Sequence, residues 1–175
     1  MFAFAFLWGL AEATLFFIVP DVLLSLLALK NRRHAWIASG YAVAGAVLGG
    51  LLMYAWTAHD AGQVQSLLAS IPAISPELID QAHAQLDEWG YPSLFAGAFS
   101  GVPYKLYASE AGAAALPLAG LLAVTIPARA LRFVLVVAVV NGISRRWLGG
   151  WAHARRAALL LACWALFYGG YFSVM

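Results

Sequence analysis

Residues 16–24 read FFIVPDVLL, and this stretch decides the fold because it places Pro20 and Asp21 inside a long apolar run. Proline removes a backbone donor and interrupts a helix. A carboxylate within a bilayer is costly, and it usually marks a functional site. The stretch therefore predicts a chain that turns back at Pro20, with Asp21 facing the polar space that the turn creates.

The composition is that of an integral membrane protein. Of the 175 residues, 63% are hydrophobic and 10% are charged, whereas soluble domains average about 45–50% and 25%. The first residues lack the basic segment of a signal peptide, so they are expected to belong to the mature protein. The only cysteine, Cys163, excludes a disulfide framework, and the four histidines are scattered. No metal or other cofactor is therefore predicted.

Four apolar blocks are long enough to span a membrane, which takes about 20 residues. They cover residues 2–29, 34–57, 91–143 and 157–175. The polar region 59–89 contains SIPAISPELIDQAHAQLDEW, which predicts an amphipathic helix capped by Ser75, with Pro76 as its first residue. Its apolar face comprises Leu78, Ala82, Leu86 and Trp89. This helix lies either on the membrane surface or as a cap packed on loops.

The charged residues fall into two groups. Twelve lie outside the apolar blocks, with the basic ones at two junctions and the acidic ones in the polar region: Lys30, Arg32, Arg33, Arg145, Arg146, Arg155, Arg156, Asp60, Glu77, Asp80, Asp87 and Glu88. Six lie inside the blocks: Glu12, Asp21, Lys105, Glu110, Arg129 and Arg132. Because the embedded residues include three of each sign, the buried charge can be fully paired.

The positive-inside rule predicts the topology. If 1–30 and 91–116 each enter and leave the membrane on one side, both basic junctions face the cytoplasm and the linker 58–90 is external. If 91–116 crossed once instead, the two basic junctions would lie on opposite sides. The predicted fold is therefore a single all-α polytopic membrane domain, with re-entrant hairpins at 1–30 and 91–116 and transmembrane helices at 34–57, 119–143 and 157–175.

The two hairpins predict an inverted-topology repeat. Their tips are Pro20 and Pro103, and a crossing helix begins about fifteen residues after each tip. This plan is typical of transporters whose sites lie where broken helices meet at the midplane. Backbone groups left unpaired at the tips must be satisfied by protein or by a water-filled cavity. The prolines therefore predict a polar pocket.

The six embedded ionisable residues are the candidate site: Glu12, Asp21, Lys105, Glu110, Arg129 and Arg132. Arg129 and Arg132 share a helix face and can reach one partner group together, and Arg132 could also have a purely structural role. Basic residues beside opened helix N-termini suit a phosphate or a carboxylate. Paired acids could bind and release protons. The alternative is that these residues are ion pairs that only lock the hairpins to the bundle.

Three motifs carry a resemblance to a known family: AEATLFFIVPDVLLSLLAL (11–29), FSGVPYKLYASEAG (99–112) and PARALRFVLVV (127–137). In this order and spacing they resemble the DedA superfamily, also called the SNARE-associated or VTT-domain family, and particularly its small bacterial YqaA-like branch. The resemblance extends over about residues 6–143. By motif match, Glu12 and Asp21 take the acidic positions of the first hairpin and Lys105 a basic position of the second.

The resemblance implies a multi-pass protein of the bacterial cytoplasmic (inner) membrane with two re-entrant hairpins. It also implies lipid translocation, since bacterial relatives are linked to undecaprenyl phosphate recycling and membrane homeostasis, and eukaryotic relatives to phospholipid scrambling. This chain has Ser100 and Leu106 where other branches carry arginines, and its first tip reads IVPD where a longer proline-rich tip is common. Substrate and proton coupling are therefore not carried over.

The leading expectation is a flippase or scramblase, not an enzyme, that moves a lipid with an anionic phosphate headgroup, such as undecaprenyl phosphate or a phospholipid. The alternative is a proton-coupled ion or small-solute transporter. The chain has no HExxH, GxSxG or cysteine–histidine pairing, so an enzyme acting on lipid phosphates would need an unrecognised site. A structural assembly factor is a further alternative. No nucleic acid partner is expected, and homo-oligomer formation is left open.

Overall fold

The described part of the chain is entirely helical. The computed structural model describes residues 1–71 and 74–174, which contain nine helices and no strand. The helices are α1 (Phe2–Glu12), α2 (Asp21–Lys30), α3 (Arg32–His59), α4 (Ala61–Ala69), α5 (Pro76–Trp89), α6 (Ser93–Ser100), α7 (Tyr104–Ala113), α8 (Leu118–Arg146) and α9 (His153–Val174). The all-α prediction is confirmed. Pro72 and Ala73 of the predicted linker, and Met175 of the last predicted spanning helix, lie outside the described residues.

Two of the described helices, α3 and α8, are long and apolar enough to cross a membrane. They contain 28 and 29 residues, which at 1.5 Å per residue is about 40 Å each. The side chain of Asn31 caps α3 by accepting a hydrogen bond from the backbone N–H of His34 at 3.1 Å. Both helices begin earlier and end later than the predicted segments 34–57 and 119–143, and α9 begins before the predicted position 157.

The predicted interruption near Pro20 is present, but the preceding helix ends earlier than expected. Helix α1 ends at Glu12, and α2 begins at Asp21 directly after Pro20. Residues 13–20 form a loop between them, and Trp8 Nε1 donates a hydrogen bond to the carbonyl of Ile18 at 2.7 Å. The tip of the first segment is therefore a loop rather than a turn at a single proline.

The second segment is interrupted at its predicted proline. Helix α6 ends at Ser100, and Gly101 follows with φ of 90°, a conformation that glycine adopts at little cost because it has no Cβ. Pro103 then directly precedes α7. At the start of a helix the missing N–H of proline leaves no helical hydrogen bond unmade.

The first broken segment starts and ends at the same end of α3. The ring of Phe2, at the start of α1, packs against His34 and Tyr41 with centroid distances of 5.8 and 5.5 Å. Helix α2 ends at Lys30, just before α3 begins. The loop 13–20 therefore lies partway along α3, and the chain returns to its starting level.

The second broken segment mirrors this course at the other end of α3. Tyr91, which precedes α6, donates a hydrogen bond from Oη to the carbonyl of Pro117 at 2.6 Å. Tyr54, near the end of α3, donates to the carbonyl of Leu116 at 2.7 Å. The beginning and the end of this segment therefore both lie beside the last turns of α3.

The packing of the broken helices follows the same pattern in both halves. Helices α1 and α6 pack on the long helix that follows them in sequence, α3 and α8 respectively. Helices α2 and α7 pack on the long helix of the other half, α8 and α3 respectively. The two halves are thus interleaved around the α3–α8 pair.

The apolar core shows that α3 and α8 run antiparallel. One buried cluster joins Ala35 and Ala38, near the start of α3, to Val137, near the end of α8. A second cluster joins Met53, near the end of α3, to Leu121, near the start of α8. The basic junctions at 30–33 and 145–146 therefore lie at the same end of the bundle.

Helix α5 starts where the sequence predicts, with Ser75 before it and Pro76 as its first residue. Its buried residues Ala82 and Leu86 belong to the core cluster that also contains Tyr107 of α7. These two residues of the apolar face thus pack against protein, whereas Trp89 of the same face is exposed, and the position of α5 relative to a membrane stays a prediction. Helix α4, which the sequence analysis did not predict, begins after Asp60 and contributes to the same cluster.

Candidate functional site

Arg129 of α8 is held by groups from both broken segments. Its Nη2 lies 2.6 Å from Oε2 and 2.9 Å from Oε1 of Glu12, the last residue of α1. Both side chains are almost fully buried. The guanidinium also lies over the ring of Tyr104, with Cζ 4.5 Å from the ring centroid, which is a favourable cation–π distance. Arg129 is therefore locked in place.

Arg132, one turn further along α8, holds the second carboxylate. Its Nε and Nη2 lie 2.8 and 2.6 Å from Oδ2 of Asp21, and its Nη1 donates to the carbonyl of Ala98 at 3.0 Å. Asp21 is buried, and its other oxygen, Oδ1, has no hydrogen-bond partner among the described residues. The two arginines therefore engage separate acids rather than one shared group.

Lys105 differs from the arginines in its partner. It is the second residue of α7 and is 1% exposed. Its Nζ donates a hydrogen bond to the backbone carbonyl of Phe16, in the loop of the first segment, at 2.8 Å. No carboxylate among the described residues lies within ion-pair distance of this ammonium. The expectation that the embedded charges pair fully is therefore wrong for Lys105.

A cavity of about 80 Å³ lies between the tips of the two segments. Its charged wall comprises Glu12, Lys105, Arg129 and Arg132. The rest of the wall includes seven aromatic side chains, namely Phe16, Phe17, Tyr104, Tyr107, Phe167, Tyr168 and Tyr171. With Asp21 included as the partner of Arg132, the three cations exceed the two carboxylates by one charge. The cavity is therefore polar on one side and electropositive.

The last helix also contributes to this cavity, although it contains none of the predicted site residues. Tyr168 of α9 accepts a hydrogen bond on Oη from the backbone N–H of Val19 at 2.9 Å. Trp164 Nε1 donates to Oγ of Ser25 at 3.0 Å. These partners are 149 and 139 residues apart, so no local pattern links them. Tyr104, in contrast, carries a local signal in the sequence, because it lies between Pro103 and Lys105 in the second motif.

Glu110 was predicted to join the other five embedded charges, but it is not among the described residues that line the cavity. Its Oε2 lies 2.9 Å from Nδ1 of His83 on α5. The hydrogen bond to Glu110, together with the negative charge of its carboxylate, raises the pKa of His83 above its ordinary value. Glu110 therefore attaches α5 to α7.

The two predicted tip prolines take different positions. Pro103 lies in the wall of the cavity, next to Tyr104 and Lys105. Pro20 is buried and precedes Asp21, while the neighbouring Val19 contributes to the wall. The first residues of α7 therefore line the cavity, whereas no described residue of α2 does, so the expectation that Asp21 faces this space is wrong and only its partner Arg132 reaches the wall.

This arrangement is suited to binding an anion. The arginines are fixed by their carboxylates, and a lysine ammonium has three donors, so donors of Lys105 remain available beside the one that bonds Phe16. In a space of low dielectric, such a charge attracts an anion more strongly than it would in water. Within the described residues, no group of three or more His, Cys, Asp or Glu side chains is placed to hold a metal ion. Comparison of the chain with known protein families, curated proteins and solved structures finds no match.

Proposed function

We propose that the protein is a membrane lipid transporter of the DedA superfamily, acting as a flippase or scramblase. Its substrate is a lipid with an anionic phosphate headgroup, such as undecaprenyl phosphate or a phospholipid. The observation that carries this proposal is Lys105, a buried ammonium in the cavity whose protein partner is a carbonyl instead of a carboxylate. A phosphate headgroup supplies the negative charge that the cavity lacks, while the apolar tails lie outside the cavity.

The outer surface supports a multi-pass location in the membrane. Helices α3 and α8 have the length and apolar composition of membrane spans. Large apolar side chains are exposed along α3, α8 and α9, among them Ile37, Leu48, Leu52, Ile126, Leu131, Val139, Leu159 and Leu166. Monomeric soluble proteins rarely expose contiguous apolar patches larger than a few hundred Å². A bilayer provides the apolar solvent that these helices need.

The course of the broken segments supports re-entrant hairpins. Each segment starts and ends at one end of the α3–α8 pair, and the two use opposite ends. Helices α1 and α7 contain 11 and 10 residues, about 15–17 Å in length, or half of a hydrocarbon core of about 30 Å. Hairpins that enter from opposite faces and meet near the midplane are the arrangement of inverted-repeat transporters.

The charge distribution supports the orientation. The basic residues at 30–33 and 145–146 lie at one end of the bundle, and the acidic residues of the linker 58–90 follow the other end of α3. The positive-inside rule assigns the basic end to the cytoplasm. Together with the resemblance to the DedA superfamily, this orientation supports the bacterial cytoplasmic membrane as the proposed location.

Transfer of a fluorescent phospholipid and, separately, of a polyprenyl phosphate in proteoliposomes tests this function. We expect the wild type to move at least one of them and Lys105→Met to lose most of that activity. A charge-assisted hydrogen bond to the headgroup is worth about 1.5–3 kcal/mol, which corresponds to about ten- to hundredfold in affinity.

The chain offers a matched control, because its only other lysine is Lys30, which is exposed at the end of α2. Lys30→Met removes the same charge outside the cavity and should transfer lipid like the wild type. Transfer that survives Lys105→Met in a folded protein would overturn the assigned role. Failure of the folded wild type to move either lipid would contradict lipid transport altogether.

A second candidate is a proton-coupled ion or small-solute transporter. Asp21 favours this function, because its buried Oδ1 has no hydrogen-bond partner among the described residues. This oxygen can therefore take up a proton, which converts the carboxylate into a hydrogen-bond donor. In that case a solute flux in the same proteoliposomes collapses with the pH gradient, and neither lipid moves.

A further inference from the structure

Helices α8 and α9 enclose a second space, which is mainly apolar. Helix α9 packs mainly on α2 among the described residues, and an open groove of about 450 Å³ separates it from α8. The groove is lined by Leu135, Val136, Val140, Leu160, Cys163 and Trp164. Its volume lies within the range of about 300–1,000 Å³ that is typical of small-molecule sites.

The groove has an apolar end and a charged end. Beyond the apolar end, Arg156 Nη1 donates a hydrogen bond to Oγ of Ser144 at 3.1 Å, which ties the start of α9 to the end of α8. From Val140 the groove extends to Arg132, a distance of about 12 Å along the helix axis. An apolar channel thus ends at a guanidinium group.

The charged end of the groove is shared with the polar cavity. Arg132, Ala98 and Phe167 line both spaces. Asp21 also lines the groove, and it is buried with Oδ1 unpartnered among the described residues. Lys105 lies beyond these shared residues, in the wall of the cavity. The charged end of the groove thus holds Arg132 with its partner Asp21, and the ammonium of Lys105, which has no carboxylate partner among the described residues, lies beyond it. The groove and the cavity together suit a long apolar chain that ends in an anionic group.

We propose that this groove binds the apolar chain of a lipid whose anionic headgroup occupies the Lys105 cavity. The inference rests on the proposed function, and it adds a binding site for the tail to the site for the headgroup. Arg132 then stands at the junction between head and tail, where it contacts the substrate from both spaces.

The groove selects among apolar chains by its shape and does not attract them, because the hydrophobic effect does not draw a tail out of a bilayer that is equally apolar. Affinity therefore comes from the headgroup, and the groove determines which chains can accompany it. A headgroup without a chain binds without entering the groove. A chain without a headgroup gains nothing by leaving the bilayer.

Cys163 reports on occupancy of the groove, because it is the only cysteine and is exposed there. The full chain in phosphatidylcholine nanodiscs is alkylated with a maleimide in the presence of dodecyl phosphate or inorganic phosphate. We expect dodecyl phosphate to slow alkylation severalfold, inorganic phosphate to leave the rate unchanged, and Lys105→Met to abolish the protection.

A pair of valines on α8 gives a matched set of variants. Val136 lines the groove, whereas Val139 is not among its described lining residues and is 54% exposed. We expect Val136→Trp to weaken dodecyl phosphate binding severalfold, measured by phosphorus NMR titration, and to leave inorganic phosphate binding unchanged. Val139→Trp should bind both probes like the wild type.

Two contrary results have different meanings. If dodecyl phosphate binding depends on Lys105 but leaves Cys163 equally reactive, and Val136→Trp binds it normally, the groove is not the tail site while the proposed function stands. If neither phosphate probe shows binding that depends on Lys105, the headgroup site is wrong, and the proposed function fails together with the tail site.

Discussion

Lys105 and the arginines of α8 differ in how firmly their charged groups are held in position. Arg129 and Arg132 donate through planar guanidinium groups to carboxylate oxygens that are themselves buried, and such pairs have a fixed geometry. Lys105 is a point charge on a flexible stem, bonded to the carbonyl of Phe16. It can therefore turn towards a ligand without leaving a carboxylate unpaired.

At the same scale, the pair between His83 and Glu110 makes the attachment of α5 depend on pH. Glu110 raises the pKa of His83 above the ordinary value of about 6.5. The stabilisation by this pair is therefore complete below that value, and it is lost as the pH rises through the raised pKa. Because 66% of the His83 side chain is exposed, solvent screens the pair, and we expect a loss of about 1 kcal/mol or less.

The thermal unfolding midpoint, measured over a series of pH values, checks this expectation. His83→Gln should remove the decrease in stability with rising pH. His59→Gln is the control, because His59 makes no ion pair among the described residues, and this variant should keep the wild-type profile. A His83→Gln profile that matches the wild type would show that the pair does not contribute.

At the scale of elements, helices α1 and α3 approach each other closely. A Cβ atom added to Gly45 would overlap the backbone carbonyl of Phe6, and one added to Gly9 would overlap that of Ala42. Small residues that let helix backbones approach closely are typical of membrane helix packing. The position of Glu12 at the end of α1 depends on this contact.

We therefore expect Gly45→Ala to destabilise the protein by about 1–3 kcal/mol, because the overlapping atom is backbone and cannot move aside without shifting a helix. Gly40 lies on the same helix with open space around its Cβ position. There Gly40→Ala should stabilise α3 by up to about 1 kcal/mol through helix propensity. Thermal unfolding of the two variants in one lipid compares them directly. A Gly45→Ala protein as stable as the wild type would contradict the close α1–α3 contact.

Where the elements begin could largely be predicted from the sequence, but where α1 ends could not. Prolines and capping residues are local signals, and Pro20, Pro76 and Pro103 each lie at a helix start. Residues 13–19 have no such signal, because they continue the apolar run. Their loop is held by distant groups, namely the ammonium of Lys105 and the hydroxyl of Tyr168.

The same reasoning explains which parts of the site could be predicted. Charged residues within apolar blocks stand out in composition, so Glu12, Arg129 and Lys105 were identified as candidates. Their pairing depends on which helices become neighbours, and charge alone does not determine that. Glu110 was therefore grouped with residues that it does not meet, because its partner His83 lies in the polar linker.

At the scale of the whole molecule, the proposed topology can be tested with single cysteines introduced into a Cys163→Ser background. Asn31→Cys and Gly149→Cys lie at the two basic junctions, and Ser66→Cys lies in the linker. We expect a membrane-impermeant maleimide to label position 66 on intact cells, and positions 31 and 149 only after permeabilisation.

The proposed topology has two crossings, α3 and α8, between positions 31 and 149. Labelling of these two positions from opposite sides would require an odd number of crossings and would therefore contradict a re-entrant hairpin at 91–116. Labelling of all three positions on intact cells would contradict a membrane location for the segments that separate them. An unmodified Cys163→Ser protein controls for background labelling.

Three polar contacts at the tips join the first half of the chain to the second: Glu12 to Arg129, Asp21 to Arg132, and Lys105 to the carbonyl of Phe16. During synthesis, the first half leaves the ribosome before any of these basic partners exists. Inserting one such charge at a helix centre costs about 2.5–3.5 kcal/mol on translocon scales. In the proposed topology, the nascent protein would therefore carry two uncompensated acids in the bilayer until α8 is inserted. Completion of the fold would then depend on the synthesis of α8, and we expect a chain truncated after α3 to be degraded faster than the full chain.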